Sequence, residues 1–256
     1  MLLQVAGAQI APVGWGPAVA LGHPTVLLVL SDKGEESILF KKMREPVSGL
    51  THFFAGIVAI AGLTGLMVVG RGDIGKQISL LIYGIGLLLM FFASSVYHLV
   101  QAQPRWVQVL RKVDHSAIYV LIAGTYTAFC YNYLVGAWRW GVLTVVWALA
   151  IIGAVLKLFV IKAPRWVTAG VYVLMGWLAL LIPREMLTSM PKGALIWLIL
   201  GGTIFTIGAV VYITKRMDFV PGVFGFHEVW HIFVILGCLS HYIGVLVYIA
   251  LTPGGD

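Results

Sequence analysis

Charged side chains are scarce in this chain of 256 residues: 11% of its residues are Asp, Glu, Lys or Arg, whereas 60% are hydrophobic. A soluble globule of this size needs more polar side chains to cover its surface, so the composition excludes one. The apolar residues form continuous runs, without the alternation of about ten residues per strand that is typical of a membrane β-barrel. The sequence therefore predicts an all-α integral membrane protein.

Cysteine is also rare, since Cys130 and Cys238 are the two in the chain and both fall within apolar runs. Two such residues indicate neither a disulfide framework nor a thiolate metal site. We expect buried thiols that act as small apolar side chains. A continuous polar stripe through several runs is absent as well, which argues against a water-filled pore.

Seven runs are long enough, at about 20 apolar residues, to cross about 30 Å of hydrocarbon. They lie near residues 48–70, 77–99, 114–133, 139–160, 167–183, 194–213 and 228–250. We therefore expect a seven-transmembrane helix bundle over residues 43–252. Residues 1–42 are predicted to be a poorly ordered N-terminal extension, because repeated Gly and Pro between residues 7 and 24 would interrupt a spanning helix.

Positive charge is unevenly distributed between the two sides of these runs. The loops richer in Lys and Arg face the cytoplasm in most membrane proteins. One side carries twelve of the 17 cations: Lys33, Lys41, Lys42, Arg44, Arg105, Arg111, Lys112, Lys157, Lys162, Arg165, Lys215 and Arg216. The other side carries five: Arg71, Lys76, Arg139, Arg184 and Lys192. The N-terminus is thus predicted to be cytoplasmic and the C-terminus outside.

Three histidines lie where this topology places the cytoplasmic face. His227 and His231 begin the seventh run four residues apart, on one face of a helix, and His98 ends the second run. Three neutral imidazoles suit Zn²⁺ and leave a fourth position for water. Ionisable groups within a membrane are costly without a use, so we expect a metal site. The alternative is that interfacial histidines cap loops and bind lipid headgroups.

Two polar residues accompany these histidines. Ser94 lies one turn before His98 on the same helical face, and Asp114 begins the third run at the same membrane face. Asp114 is a candidate proton acceptor or a partner of a zinc-bound water, and Ser94 is a candidate hydrogen-bond donor to it. Two structural roles stay open: Asp114 as a residue favoured by the helix dipole, and Ser94 bonded to a backbone carbonyl one turn back.

The remaining histidines have weaker claims. His52 is either a partner that orients a metal ligand or a satisfied interfacial side chain. His115 is expected to point about 100° away from its neighbour Asp114, and His241 lies about 15 Å along the helix from His231. The string from His227 to His231 also resembles a metalloprotease motif with Glu228 as base, but a helix-start role for this carboxylate is the stronger expectation.

Taken together, the motifs resemble the bacterial hemolysin III family, which is similar to the progestin and adipoQ receptors (PAQR) and, more distantly, to alkaline ceramidases. The motifs that carry this resemblance are Arg44-Glu45-Pro46 with Thr51-His52, Ser94-x-x-x-His98, Asp114-His115 with Ala123-Gly124-Thr125-Tyr126-Thr127, and His227-Glu228-x-Trp230-His231. The resemblance implies a seven-helix fold with zinc near the cytoplasmic face, held by the residues matching His98, His227 and His231. It also implies a bacterial inner-membrane location.

The leading functional hypothesis is a zinc-dependent intramembrane hydrolase of a lipid amide or ester, with Asp114 and Ser94 as its catalytic residues. The resemblance implies a role in membrane homeostasis and brings with it the historical label of a cytolysin. Two alternatives are a receptor-like membrane sensor with structural zinc and a pore-forming cytolysin. A membrane lipid is the expected substrate or ligand in the leading case, and no nucleic-acid partner is expected.

Overall fold

The structure, a computed structural model, describes residues 43–159, 163–220 and 222–252. Within these residues it contains eight α-helices and no β-sheet. The helices are α1 (Pro46–Val69), α2 (Ile74–Leu99), α3 (Pro104–Tyr133), α4 (Gly136–Phe159), α5 (Arg165–Gly176), α6 (Pro183–Ser189), α7 (Lys192–Thr214) and α8 (Phe226–Val245). This arrangement confirms the predicted all-α class. The predicted N-terminal extension over residues 1–42 lies outside the described residues.

Local sequence signals set several helix ends. Pro46, Pro104 and Pro183 each stand in the first turn of a helix, where the missing backbone N–H costs nothing. The carboxylate of Asp73 accepts a hydrogen bond from the backbone N–H of Lys76 at 3.0 Å and so caps α2. At the other end of the bundle, Lys215 adopts a left-handed conformation (φ 55°) that ends α7.

Five of the helical segments are long and apolar enough to cross a membrane. They are Pro46–Val69, Ile74–Leu99, Gly136–Phe159, Lys192–Thr214 and Phe226–Ala250. The last of them is α8 extended by a π-helical turn. The third predicted span corresponds to α3, a 30-residue helix whose first turns carry several charged side chains. The multiple apolar helices identify a membrane protein.

The fifth predicted span, 167–183, is interrupted in the structure. The helix α5 has only 12 residues and is followed by the 3₁₀ turn Leu178–Leu181 and then by the short helix α6. The hydroxyl of Tyr126 donates to the carbonyl of Gly176 and accepts from the N–H of Ala179, both at 2.9 Å. Backbone groups freed by the interruption therefore find a partner within the protein, as they must inside hydrocarbon.

Two central helices, α2 and α3, approach each other closely enough to favour glycine at the contact. A Cβ atom at Gly86 would lie 3.3 Å from Cα of Leu121, and one at Gly124 would lie 3.2 Å from the carbonyl oxygen of Ile82. Small residues permit such backbone contacts between membrane helices. This packing fixes the end of α2 beside the early turns of α3, which is where the polar residues of the site lie.

Candidate metal centre

Three imidazoles from two distant parts of the chain meet at one end of the bundle. His98 lies in the last turn of α2, whereas His227 and His231 lie in the first turns of α8. One ligand atom from each of the three histidines lies within 4.8 Å of the other two. The ring of His98 is centred 4.8 Å from that of His231 and 5.1 Å from that of His227. This cluster could hold a metal ion.

The bonding of the cluster also suits a metal ion. His98 and His231 are buried, at 2% and 3% exposure. The Nδ1 atom of His231 is buried and has no hydrogen-bond partner among the described residues. Such an orphaned nitrogen costs free energy unless something binds it. A metal ion at the cluster would bind one nitrogen of each of the three rings.

The carboxylate of Glu45 orients one of these imidazoles. Its Oε2 atom accepts a hydrogen bond from Nδ1 of His98, which leaves Nε2 of His98 for the cluster. Burial raises the pKa of Glu45, but the hydrogen bond from His98 and the nearby charges of His98 and Arg44 hold it below its ordinary value. A carboxylate behind a ligating histidine fixes the ring and raises its basicity. In the sequence, Glu45 stands out only within the Arg44-Glu45-Pro46 motif, which leaves its role open.

Ser94 and Asp114 line the same small cavity as the three histidines, with a volume of about 50 Å³. Both are buried, at 2% and 9% exposure. The alternative role of Ser94 required a hydrogen bond to a backbone carbonyl one turn back, and no such bond is present among the described residues. The hydroxyl of Ser94 is therefore available to the cavity. The residues that sequence analysis paired with the histidines are therefore brought to them.

One expectation about this cavity is wrong. His115 was expected to point away from Asp114, yet its Nδ1 atom lies 3.3 Å from Oδ2 of Asp114 and its side chain borders the same cavity. Nδ1 also lies 2.8 Å from the carbonyl oxygen of Arg111, one turn back along α3. The His115 ring thus lies back along the helix. The Cα–Cβ bonds of Asp114 and His115 diverge by about 100°, but the ends of the two side chains still meet.

The other two histidines of the bundle differ in their relation to the cluster. His52 on α1 stacks on His231, with ring centroids 4.0 Å apart, and both of its ring nitrogens are buried without a partner among the described residues. His241 lies deeper, where its Nε2 atom is 3.1 Å from the carbonyl oxygen of Leu198. It is not a member of the cluster, in agreement with the distance estimated from the sequence.

A larger apolar cavity of about 310 Å³ lies deeper in the bundle. It shares Ala169, Tyr172, Trp230 and Val234 with the small cavity, so the two adjoin. The exposed side chains of Leu180 and Leu187, at the interruption after α5, border it as well. Its lining also includes Cys130 and Cys238, which are buried free thiols as expected.

The sequence profile of the family described as Haemolysin-III related matches residues 40–242. This chain belongs to the hemolysin III family. It is 32% identical over 217 residues to the hemolysin-3 homolog of Bacillus subtilis (strain 168), which covers 84% of this chain and 99% of that protein. It is 29% identical over 212 residues to hemolysin-3 of Bacillus cereus, which covers 81% and 93%.

A mammalian protein is related too. The human monocyte to macrophage differentiation factor is 27% identical over 212 residues, covering 79% of this chain and 83% of that protein. These matches confirm the hemolysin III family that the motifs predicted. The mammalian relative fits the wider PAQR superfamily that the resemblance indicated.

This hemolysin III protein has one polar link beside the cluster that the sequence did not reveal. Ser48 on α1 is fully buried, and its hydroxyl donates to Oε1 of Glu228 at 2.8 Å. The second carboxylate oxygen of Glu228 accepts from the N–H of Gly225 at 2.9 Å, which caps the start of α8. Glu228 is therefore a helix-start carboxylate that also ties α1 to α8. Because Ser48 and Glu228 are 180 residues apart, no spacing in the sequence indicates that they pair.

Proposed function

We propose that this protein is a zinc-dependent intramembrane hydrolase of a lipid amide or ester. One observation carries the proposal: His98, His227, His231, Ser94 and Asp114 border a single buried cavity. That small cavity adjoins the larger apolar cavity on its deeper side. A polar reaction centre next to a space for hydrocarbon is the arrangement that cleavage of a lipid near its headgroup requires.

The metal would be held by His98, His227 and His231, whose imidazole donors suit zinc. When bound, zinc supplies a Lewis acid that polarises a carbonyl and lowers the pKa of water to about 7. Glu45 would keep the His98 ring in the orientation for binding. The burial of His98 and His231 at the cluster supports the same assignment.

The roles of the other polar residues follow from their positions around the cavity. Asp114 would accept the proton of the attacking water, because a buried carboxylate beside the histidines is within reach of the reaction centre. His115 lies against the same carboxylate and would steady its position. Ser94 would donate a hydrogen bond from its hydroxyl to the substrate or the water. The apolar cavity would hold the acyl chain, which would enter past Leu180 and Leu187.

The orientation in the membrane is part of the proposal. Seven segments would cross the bilayer, with α5, the 3₁₀ turn and α6 together forming the fifth. The N-terminus would lie in the cytoplasm and the C-terminus outside, with the histidine cluster at the inner leaflet of a bacterial plasma membrane. The charge distribution supports this orientation. Four cations of the cation-rich side line a cavity that His98 and His227 also border: Arg111, Lys112, Lys157 and Arg165. The cation-rich side is therefore the end of the bundle that carries the cluster.

A second candidate is a membrane sensor in which zinc only stabilises the helix ends. The links from Glu45 to His98 and from Ser48 to Glu228 favour it, because together they join α1, α2 and α8 at the cluster. In this case metal would contribute to folding stability without turnover. The presence of Asp114 and Ser94 in the cavity, beyond what a structural site needs, supports the hydrolase over the sensor.

The direct test is a hydrolysis screen on detergent-purified protein. A panel of lipid amides and esters is incubated with the protein, with and without a metal chelator, and released fatty acid is measured by mass spectrometry. We expect release from at least one substrate, its loss with chelator, and its recovery when zinc is returned. Zinc-loaded, folded protein that releases no fatty acid from any of the panel would contradict the hydrolase and leave the sensor.

A further inference from the structure

A second polar cavity of about 310 Å³ opens at the same end of the bundle, next to the histidine cluster. We name it the basic vestibule, because four cations from three helices line it. They are Arg111 and Lys112 on α3, Lys157 on α4 and Arg165 on α5. His98 and His227 border both the basic vestibule and the small cavity. A molecule in the vestibule would therefore lie directly beside the candidate metal centre.

Four cations and two carboxylates line the basic vestibule, so its lining carries an excess of positive charge. Among the residues that the structure describes, none of these four cations forms an ion pair. The two carboxylates that border the vestibule have other partners: Glu45 binds Arg44 and His98, and Glu228 binds Ser48 and Gly225. An excess of like charge in a concave site raises the local concentration of anions.

Two of the cations are held in fixed positions by neutral groups. The guanidinium of Arg165 lies 5.1 Å from the ring centre of Phe226 and 5.6 Å from that of Tyr212, within range of cation–π attraction. Its Nη1 atom is buried and has no hydrogen-bond partner among the described residues. The ammonium of Lys157 donates to Oγ1 of Thr168 at 2.9 Å. Both side chains are thus oriented while their charges remain available.

The positive-inside rule explains why cations occur at this end of the bundle, but it does not explain this grouping. Arg105 obeys the same rule, yet it is exposed and lies outside the basic vestibule. The four cations outnumber the two carboxylates in this cavity, and their mutual repulsion costs free energy unless a further anion offsets it. An arginine with a free N–H next to lysines matches the oxygens of a phosphate group.

We propose that the basic vestibule binds a phosphate group, and that the lipid which enters this site carries that phosphate on its polar head. The inference deepens the proposed function and rests on it for the identity of the ligand as a substrate. A phosphate in the vestibule and a hydrocarbon chain in the apolar cavity would place the intervening linkage at the histidine cluster. Phosphate-bearing lipids are therefore the substrate class.

The test measures binding separately from turnover. Detergent-purified protein is titrated with dioctanoyl phosphatidic acid, with dioctanoylglycerol, which lacks the phosphate, and with inorganic phosphate. We expect Arg165→Gln and Lys157→Gln each to weaken phosphatidic acid binding by about 10-fold or more. The matched control Arg105→Gln should change it less than about 2-fold. Arg165→Lys, which keeps the charge, should lose less affinity than Arg165→Gln.

Each arm of the experiment decides a separate point. Binding of phosphatidic acid but not of millimolar inorganic phosphate supports a lipid headgroup as the ligand. If inorganic phosphate also binds, and its binding depends on Arg165 to the same extent, the vestibule is a general phosphate site and the lipid assignment is overturned. Equal binding of phosphatidic acid and dioctanoylglycerol, or equal effects of Arg165→Gln and Arg105→Gln in folded protein, would overturn the inference. Hydrolysis of a neutral lipid unaffected by Arg165→Gln would overturn it while sparing the hydrolase. Arg165-dependent binding of phosphatidic acid without any hydrolysis would support the phosphate site but contradict the hydrolase.

Discussion

The Glu45 carboxylate and Nδ1 of His98 are hydrogen-bonded across 53 positions of the chain, which joins the start of α1 to the end of α2. Two backbone contacts support this junction: the N–H of Glu45 donates to the carbonyl of His98 at 2.9 Å, and that of Arg44 donates to Leu99 at 3.4 Å. The ring of His98 is therefore oriented before any metal binds. We expect metal affinity to depend on this carboxylate.

Replacing Glu45 with Gln should weaken zinc binding by about 10- to 100-fold, the usual effect of removing a carboxylate behind a ligating histidine. The measurement is zinc affinity by competition with a chelator of known affinity. Glu185→Gln is the matched control, because Glu185 borders neither polar cavity, and it should leave the affinity unchanged. Identical affinities for the two variants would show that the Glu45–His98 bond has no part in metal binding.

Asp114→Asn should retain zinc but reduce hydrolysis by roughly 10²- to 10⁴-fold, the usual contribution of a proton acceptor. Glu228→Gln tests the metalloprotease-like alternative, and it should keep hydrolysis within a few-fold of the unchanged protein. An amide at position 228 can accept the N–H of Gly225 with its oxygen, while its NH2 group donates to the hydroxyl oxygen of Ser48. Full activity of Asp114→Asn would remove Asp114 from the chemistry, and a larger loss in Glu228→Gln would make Glu228 the base.

The close packing of α2 and α3 makes a prediction about stability. Gly124→Ala forces a methyl group to within 3.2 Å of the carbonyl oxygen of Ile82, which should cost about 1–3 kcal/mol and lower the midpoint of thermal unfolding in detergent. Gly141→Ala on α4 is the control, because nothing lies within 4 Å of its added Cβ. A midpoint that falls equally in both variants would refute the close-packing explanation.

The interruption after α5 depends on the hydroxyl of Tyr126. Tyr126→Phe removes the partner of the Gly176 carbonyl and the Ala179 N–H, and leaving such groups unpaired should cost about 1–3 kcal/mol each. Tyr131→Phe is the comparison, since the Tyr131 hydroxyl has no hydrogen bond among the described residues. Differential scanning fluorimetry should give a clearly lower midpoint for Tyr126→Phe alone. Equal midpoints would mean that other contacts hold this segment.

The convergence of the histidines could be predicted because it follows from two simple rules. Helical spacing places His227 and His231 on one face, and the alternation of helix direction brings the end of α2 to the start of α8. Both rules use only residue number and hydrophobicity. No further signal in the sequence was needed to predict that His98 lies beside this pair.

Other features of the site could not be predicted, because they depend on packing between distant segments or on rotamers. The bond from Ser48 to Glu228 joins helices 180 residues apart, and no spacing rule describes it. The fold-back of His115 toward Asp114 depends on side-chain torsions rather than on helix geometry. Gly176 and Pro183 did mark the ends of the interruption, but glycine and proline are common in membrane helices and do not by themselves indicate a break.

The metal content of three purified proteins tests the central claim most directly. Zinc is measured by mass spectrometry in the unchanged protein, in His231→Ala and in His241→Ala, with folding verified by size-exclusion chromatography. We predict about one equivalent of zinc in the unchanged protein and in His241→Ala, and nearly none in His231→Ala. Equal zinc content in the two folded variants would contradict the assignment of His98, His227 and His231 as the metal ligands.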